Sequence, residues 1–419
     1  MRLPDGSVAL HIGPHKTGTT TMQAALWANR HLLAEQGVDY PGVRRHEMDA
    51  TMAVALGKVD PGKKLAAHRD HWYSLVEQMQ AREARLSVFS SEFYCEADAA
   101  RRREVLERLG PHTYVIVTLR PIVRLIASQW QQYTQNQLTI PYLEWLRDVV
   151  NNPEGSSLSP SFWRRHRHDL LVRRWAADVG TDRLVVVVAD ERDHRSLPEA
   201  FEELLGVAPG SLEAPKERLN RSLTFDEVTL MLEFNKRHRD VGWDQADYNR
   251  FIRFGAARGV QARPANPLDQ PVLTPQWAID RALEIGEMMA ADIAASGVTV
   301  VGSLAQLYDP AFAPPAGENT PIGTVRPDVL AGFASGLINR MDDVRNTPSP
   351  RPAAGAVERA AWARRRSSEP ELIADDLQRL ESRLQQLREA LAQRAAEGQP
   401  GRSRVLMELT RRLRRRLGR

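Results

Sequence analysis

The stretch HIGPHKTGTTTMQ, His11 to Gln23, decides how this chain is read. It follows a short apolar run, Val8 to Leu10, and opens a segment with a helical pattern. Gly13 and Gly18 have the spacing of a phosphate-binding loop, in which backbone N–H groups wrap an anion at a helix N-terminus. A nucleoside triphosphate loop reads G-x-x-x-x-G-K-[ST], with Lys directly after the second Gly. Here Thr19 holds that place, and the loop's lysine is Lys16, ahead of Gly18. The cradle is kept and its cation is re-aimed. That suits a ligand with a single 5′-phosphate and a leaving-group oxygen to neutralise.

A second segment, TYVIVTLRPIVRLIASQWQQY (Thr113 to Tyr133), reads as a buried parallel strand over Tyr114–Leu119, a turn at Arg120-Pro121, then a helix. Arg120 falls at the strand's C-terminal edge, where ligands bind in open α/β sheets. Ser128 follows eight residues later. A guanidinium fork and a hydroxyl donor together suit a phosphate dianion.

HxGxxKTGTT together with the Arg120–Ser128 spacing resembles the phosphosulfate loop and 3′-phosphate site of the sulfotransferases that use PAPS (3′-phosphoadenosine 5′-phosphosulfate). The resemblance covers roughly residues 1–312, with its specific motifs in these two short segments. It implies a three-layer α/β/α fold around a central parallel sheet and PAPS as sulfuryl donor. It places Lys16 at the leaving oxygen, with His15, Thr17, Gly18, Thr19 and Thr20 around the 5′-phosphate. Arg120 and Ser128 would hold the 3′-phosphate, and Arg221, in Asn220-Arg221-Ser222, would belong to a loop closing over the nucleotide. One departure stands out. The common pattern is R-x-P followed by a second Arg, whereas Pro121 follows Arg120 directly and Arg124 comes one position early. No metal is required, because a sulfate ester with one phosphate carries less charge than a triphosphate.

Sulfuryl transfer also needs a base for the acceptor's proton. Glu92, in FSSEFY directly after an apolar run, is the first candidate; the alternative is an ion-pair or capping role. His46, in YPGVRRHEMD, is the second, since imidazole titrates in the right range. His11 and His15 flank the loop and are expected to shape it or to contact phosphate. Cys95 is the single cysteine, so no intramolecular disulfide forms, and it reads as a packing residue.

Strand signals fall at Val8–Ile12, Leu86–Phe89, Tyr114–Leu119 and Leu184–Val188, with a weaker one at Val298–Val301. Helical patterns between them predict βαβ units, hence an α/β fold. The first helix is expected from about Thr19 to Gln36, stopping at Gly37, with a turn at Val38–Gly42. Thr224 and Glu227 form a capping-box pattern. Residues 235–275 lack a clear period and read as an irregular insertion over the acceptor site.

Beyond the 1–312 domain, residues 313–369 read as a Pro/Ala-rich linker with a short helix over 328–344. In 370–397, Ile373, Leu377, Leu380, Leu384, Leu387 and Leu391 make a heptad seam, which predicts a coiled coil joining copies of the chain; the alternative is a helix packed on its own domain. Residues 401–419 hold eight Arg and one Glu, a local charge of +7; taking that from the chain's +4 leaves −3 for residues 1–400. The basic excess is a property of the tail, so specific nucleic-acid binding is not indicated. The tail's leucines share one face, which suits peripheral contact with an anionic membrane, or a solvated arm. The polar N-terminus and the lack of a long apolar run predict a cytoplasmic protein, peripheral to the inner face of the membrane if the tail binds there. The acceptor is left open among a hydroxylated small molecule, a glycolipid and a polysaccharide. Two other readings compete. A P-loop kinase or NTPase would use Asp190, at the end of VVVVAD, on Mg²⁺. A non-catalytic nucleotide-binding scaffold would act through its C-terminus.

Overall fold

A computed structural model describes residues 1–60, 63–213, 221–241 and 244–346. The linker beyond 346, the heptad segment 370–397 and the basic tail 401–419 lie outside the described residues.

Six strands form one sheet: β1 (Ser7–Ile12), β2 (Val38–Asp39), β3 (Leu86–Ser90), β4 (Thr113–Leu119), β5 (Leu184–Val188) and β6 (Thr299–Gly302). Their order is β2-β3-β1-β4-β5-β6 and every pairing is parallel. A parallel sheet is covered on both faces, so its strands read as unbroken apolar runs; Leu-Val-Val-Val-Val of β5 is buried throughout. Alternate residues divide between two cores. Val8, Leu10 and Ile12 pack with Trp72, Leu75 and Trp175, while Ala9 packs with Met22, Leu26 and Phe201 on the opposite face. This is the three-layer α/β arrangement expected from the sequence.

The chain fills the β3 side of β1 first and then crosses to β4 on the other side. The strand order therefore reverses at β1, and the crevice at its C-terminal end is where such sheets bind ligands. The Gly13–Gly18 loop sits there.

A third core is all-helical. Ile122–Thr134, Tyr142–Asn151, Phe225–Val241 and Gln276–Ala295 meet around Trp130, Trp145, Phe162, Met231 and Tyr248.

Three local expectations change. The first helix is two helices, Thr19–Ala28 and Arg30–Glu35, broken at Asn29, whose amide bonds the carbonyls of Ala25 (2.8 Å) and Glu213 (2.9 Å). Val38 and Asp39, expected as a turn, pair with Leu86 and Ser87 as the edge strand β2. Much of the stretch expected to be irregular is helical. Phe225–Val241 runs into it, and a π-helix, Tyr248–Ala256, continues as Ala257–Ala262.

The helix expected over 328–344 spans Pro327–Asn346 and packs on that π-helix through facing glycines. A Cβ on Gly259 would lie 2.3 Å from the Gly332 carbonyl, and one on Gly336 would lie 2.5 Å from the Gly255 carbonyl. Only glycine permits that approach, and the first compact unit accordingly runs Met1–Asn346. Thr224 and Glu227 do form the capping box, at 2.8 and 3.3 Å. No described helix is long and apolar enough to cross a membrane.

Candidate active site

β1 ends at Ile12, and at Gly13 the chain must pass close to three hydroxyls. A Cβ there would lie 2.3 Å from Thr118 Oγ1, 2.5 Å from Thr19 Oγ1 and 2.7 Å from Thr17 Oγ1. Thr17 donates to the Pro14 carbonyl at 2.7 Å and lies 3.2 Å from the Thr118 hydroxyl. Thr19 Oγ1 is buried and has no hydrogen-bond partner among the described residues. Thr20 is exposed. Two residues of the loop are left-handed, Lys16 at φ 72° and Gly18 at φ 94°. Such alternation turns backbone N–H groups toward one concavity and makes an anion nest. For Lys16 that conformation costs about 1–2 kcal/mol. Arg120 offsets it by donating from Nη1 to the Lys16 carbonyl at 2.9 Å.

His11 lies beneath the loop and fixes its floor. Its Nδ1 is 2.8 Å from Ser90 Oγ and its Nε2 is 3.1 Å from Thr118 Oγ1, so it ties β3, β1 and β4 together. Complete burial pulls its pKa down to about 3, leaving a neutral ring at pH 7. His15 Nε2 is 3.4 Å from Glu96 Oε1, and Arg165 Nε is 2.9 Å from the same oxygen. Burial would raise the Glu96 carboxyl, but His15 and Arg165 prevail and hold it at about 2. His15 is thereby tethered to Glu96 on one side of the loop. The Lys16 amine is lowered, first by desolvation and then by the charge of Arg120.

Arg120 stands at the end of β4 as expected, and an acid not foreseen from the sequence meets it. Glu191 Oε1 accepts from Arg120 Nε at 2.5 Å, and Glu191 Oε2 accepts from Arg124 Nε at 3.0 Å. The two arginines flag the carboxylate from either side and hold its pKa down against burial. Ser128, half-buried, donates to the Leu125 carbonyl at 3.0 Å.

The two candidate bases, far apart in sequence, come together at the end of β3. Glu92 Oε2 accepts from Gln23 Nε2 at 3.1 Å and lies 3.9 Å from His46 Nε2. His46 Nε2 is 2.9 Å from Ser91 Oγ, and its ring stacks on Phe93 at 6.0 Å. Desolvation lowers the His46 pKa below its usual 6.5 even though Glu92 pulls the other way. Cys95 is buried, and burial pushes its thiol pKa up, in keeping with packing.

Arg221 is placed elsewhere. Its guanidinium forks onto Glu227 at 2.6 and 2.7 Å and reaches the Val260 carbonyl at 2.6 Å. Those partners belong to the helical core, so its charge is spent on Glu227 and not on the Gly13–Gly18 loop. The sequence reading also missed Gln23, Ser91 and Thr118. All three lie inside segments already singled out, but their contacts become visible only when the sheet register is known.

No family model matches the chain, and no curated protein matches it. Among solved structures, a sulfotransferase from Alicyclobacillus acidocaldarius is similar at 15% identity, over 60% of this chain and 100% of that one, with a TM-score of 0.34.

Proposed function

We propose that this chain is a sulfotransferase that moves the sulfuryl group of PAPS to a hydroxyl or amine. The observation that carries the reading is the bond from Arg120 to the Lys16 carbonyl, which joins the two motifs into one site at the switch point of the sheet. The loop's nest, the partnerless Thr19 hydroxyl and the exposed Thr20 suit a 5′-phosphate. Arg120 and Arg124 offer donors to a 3′-phosphate, and Ser128 joins them once its hydroxyl turns from the Leu125 carbonyl. In the step itself the acceptor oxygen forms a bond to sulfur as the bond from sulfur to the bridging oxygen breaks. Lys16 neutralises the departing phosphate oxygen, and the Glu92–His46 pair takes the acceptor's proton. Positioning and charge neutralisation of this kind account for much of enzymatic rate enhancement.

The kinase reading finds less support. Asp190 binds Arg192 through both carboxylate oxygens, at 2.9 and 3.1 Å, and β5 is separated from β1 by β4. The acceptor is proposed to be a hydroxylated small molecule, glycolipid or polysaccharide. Pairing through 370–397 and membrane contact through 401–419 are proposed from sequence.

Incubation with ³⁵S-labelled PAPS and a panel of hydroxylated acceptors in EDTA tests the reading. Wild type should transfer label, and Lys16→Ala should lose ~10²-fold or more. Equal transfer by the variant, or phosphoryl transfer from ATP·Mg²⁺ instead, would count against it.

A further inference from the structure

Glu191 has no part in the step described above, yet its side chain is only 7% exposed and it lies between the two arginines at the end of β4. Topology explains how it gets there. β4 and β5 pair with Leu119 opposite Val188, so the residues just past both strands meet at the same sheet edge. Asp190 turns away to Arg192, and Glu191 turns toward Arg120 and Arg124.

The geometry is specific. Glu191 takes the Nε–H of each arginine, one on each carboxylate oxygen. Arg120 spends Nη1 on the Lys16 carbonyl. The Nη2 group of Arg120 and both Nη groups of Arg124 make no hydrogen bond among the described residues. Two adjacent guanidinium ions repel one another; a carboxylate bonded to both offsets that repulsion and fixes their planes. Arg120 and Arg124 against Glu191 leave a net charge of +1 at this subsite, which still favours a phosphate anion. A carboxylate could act in the opposite sense, as an anion that occupies the arginines and competes with phosphate. Its two Nε contacts argue against that, because they leave Arg120 Nη2 and both Nη groups of Arg124 to face a phosphate.

We propose that Glu191 is the positioning residue of the 3′-phosphate subsite: it holds Arg120 and Arg124 side by side, so that this chain selects nucleotides bearing a 3′-phosphate over those lacking one. The proposal rests on the sulfotransferase reading and also gives Arg124 a role, although its spacing departs from the usual pattern.

The test compares binding of adenosine 3′,5′-bisphosphate and 5′-AMP to wild type, Glu191→Gln and Glu191→Asp, by calorimetry in EDTA. Glu191→Gln keeps the shape and removes the charge. It should weaken the bisphosphate about tenfold or more, as expected for charge-assisted hydrogen bonds. It should leave 5′-AMP within about twofold, and Glu191→Asp should recover part of the loss. Unchanged 5′-AMP binding also shows that the variant is folded. Tighter bisphosphate binding by Glu191→Gln would identify a competing anion and overturn the proposal. So would an unchanged bisphosphate affinity, or an equal loss for both nucleotides. Failure of wild type to bind the bisphosphate at all would instead refute the sulfotransferase reading, and this inference with it.

Discussion

Gly13→Ala is the sharpest mutational test of the loop. Gly13 does not occupy the left-handed region, so the substitution brings no backbone penalty and its effect is purely steric. The added methyl would meet three oxygens at 2.3, 2.5 and 2.7 Å, all inside any tolerable contact. Those oxygens belong to Thr118, Thr19 and Thr17, which sit on β4, the following helix and the loop itself, so none can yield alone. Overpacking a tight site costs ~1–3 kcal/mol. Displacing Thr17 breaks its bonds to Pro14 and Thr118, at ~0.5–1.5 kcal/mol each. A total loss of about 2–6 kcal/mol follows, read as a lower urea midpoint, with bisphosphate binding weakened alongside. Gly155→Ala is the control, since a Cβ there meets nothing within 4 Å. If Gly13→Ala matched Gly155→Ala in stability and still bound nucleotide like wild type, the three-hydroxyl cradle would be wrong.

Further expectations concern the base, acid stability and the last helix. The transfer rate should rise with pH through the depressed pKa of His46, so its acid limb should lie below pH 6.5, and Glu92→Gln should lower kcat ~10²-fold or more; a limb at or above 6.5 would remove His46 from the pair. His11 and His168 are buried and neutral, with folded pKa values of about 3 and about 4 against ~6.5 unfolded. The unfolded chain therefore takes up protons first, so their stability is present above pH 6.5 and is lost as pH falls. At pH 5 each should cost about 2 kcal/mol, seen as a falling urea midpoint; a midpoint flat between pH 7 and 5 would contradict this. Gly259→Leu should pry the Pro327–Asn346 helix from Ala257–Ala262, and limited proteolysis should then cut between 313 and 346; an unaltered digest would refute the glycine contact.

The strands were legible because parallel, doubly covered strands need unbroken β-branched runs, and Leu184–Val188 is one. Val38–Asp39 was not, because two residues ahead of Tyr40-Pro41-Gly42 carry no period and gain their strand only by pairing with Leu86 and Ser87. The helix over Tyr248–Ala256 was overlooked although its buried Tyr248, Ile252 and Ala256 recur every four residues; Asn and Arg lie between them, and the glycines it packs against lie some eighty residues on. At the site, Lys16, Glu92, His46 and Arg120 were named from local motifs. Glu191 was hidden because its two partners lie 71 and 67 residues away, and only the β4–β5 register brings them together. The Arg221–Glu227 pair was hidden too, Glu227 having been read as a cap alone.

The central claim is that the Gly13–Gly18 loop and Arg120 form one site for a nucleotide phosphorylated at both the 3′ and 5′ positions. Calorimetric titration of adenosine 3′,5′-bisphosphate into wild type and Arg120→Ala, in EDTA, tests it most directly. The account predicts micromolar binding that collapses in the variant. Binding that survives in Arg120→Ala, or wild type that ignores the bisphosphate and binds ATP·Mg²⁺, would contradict it.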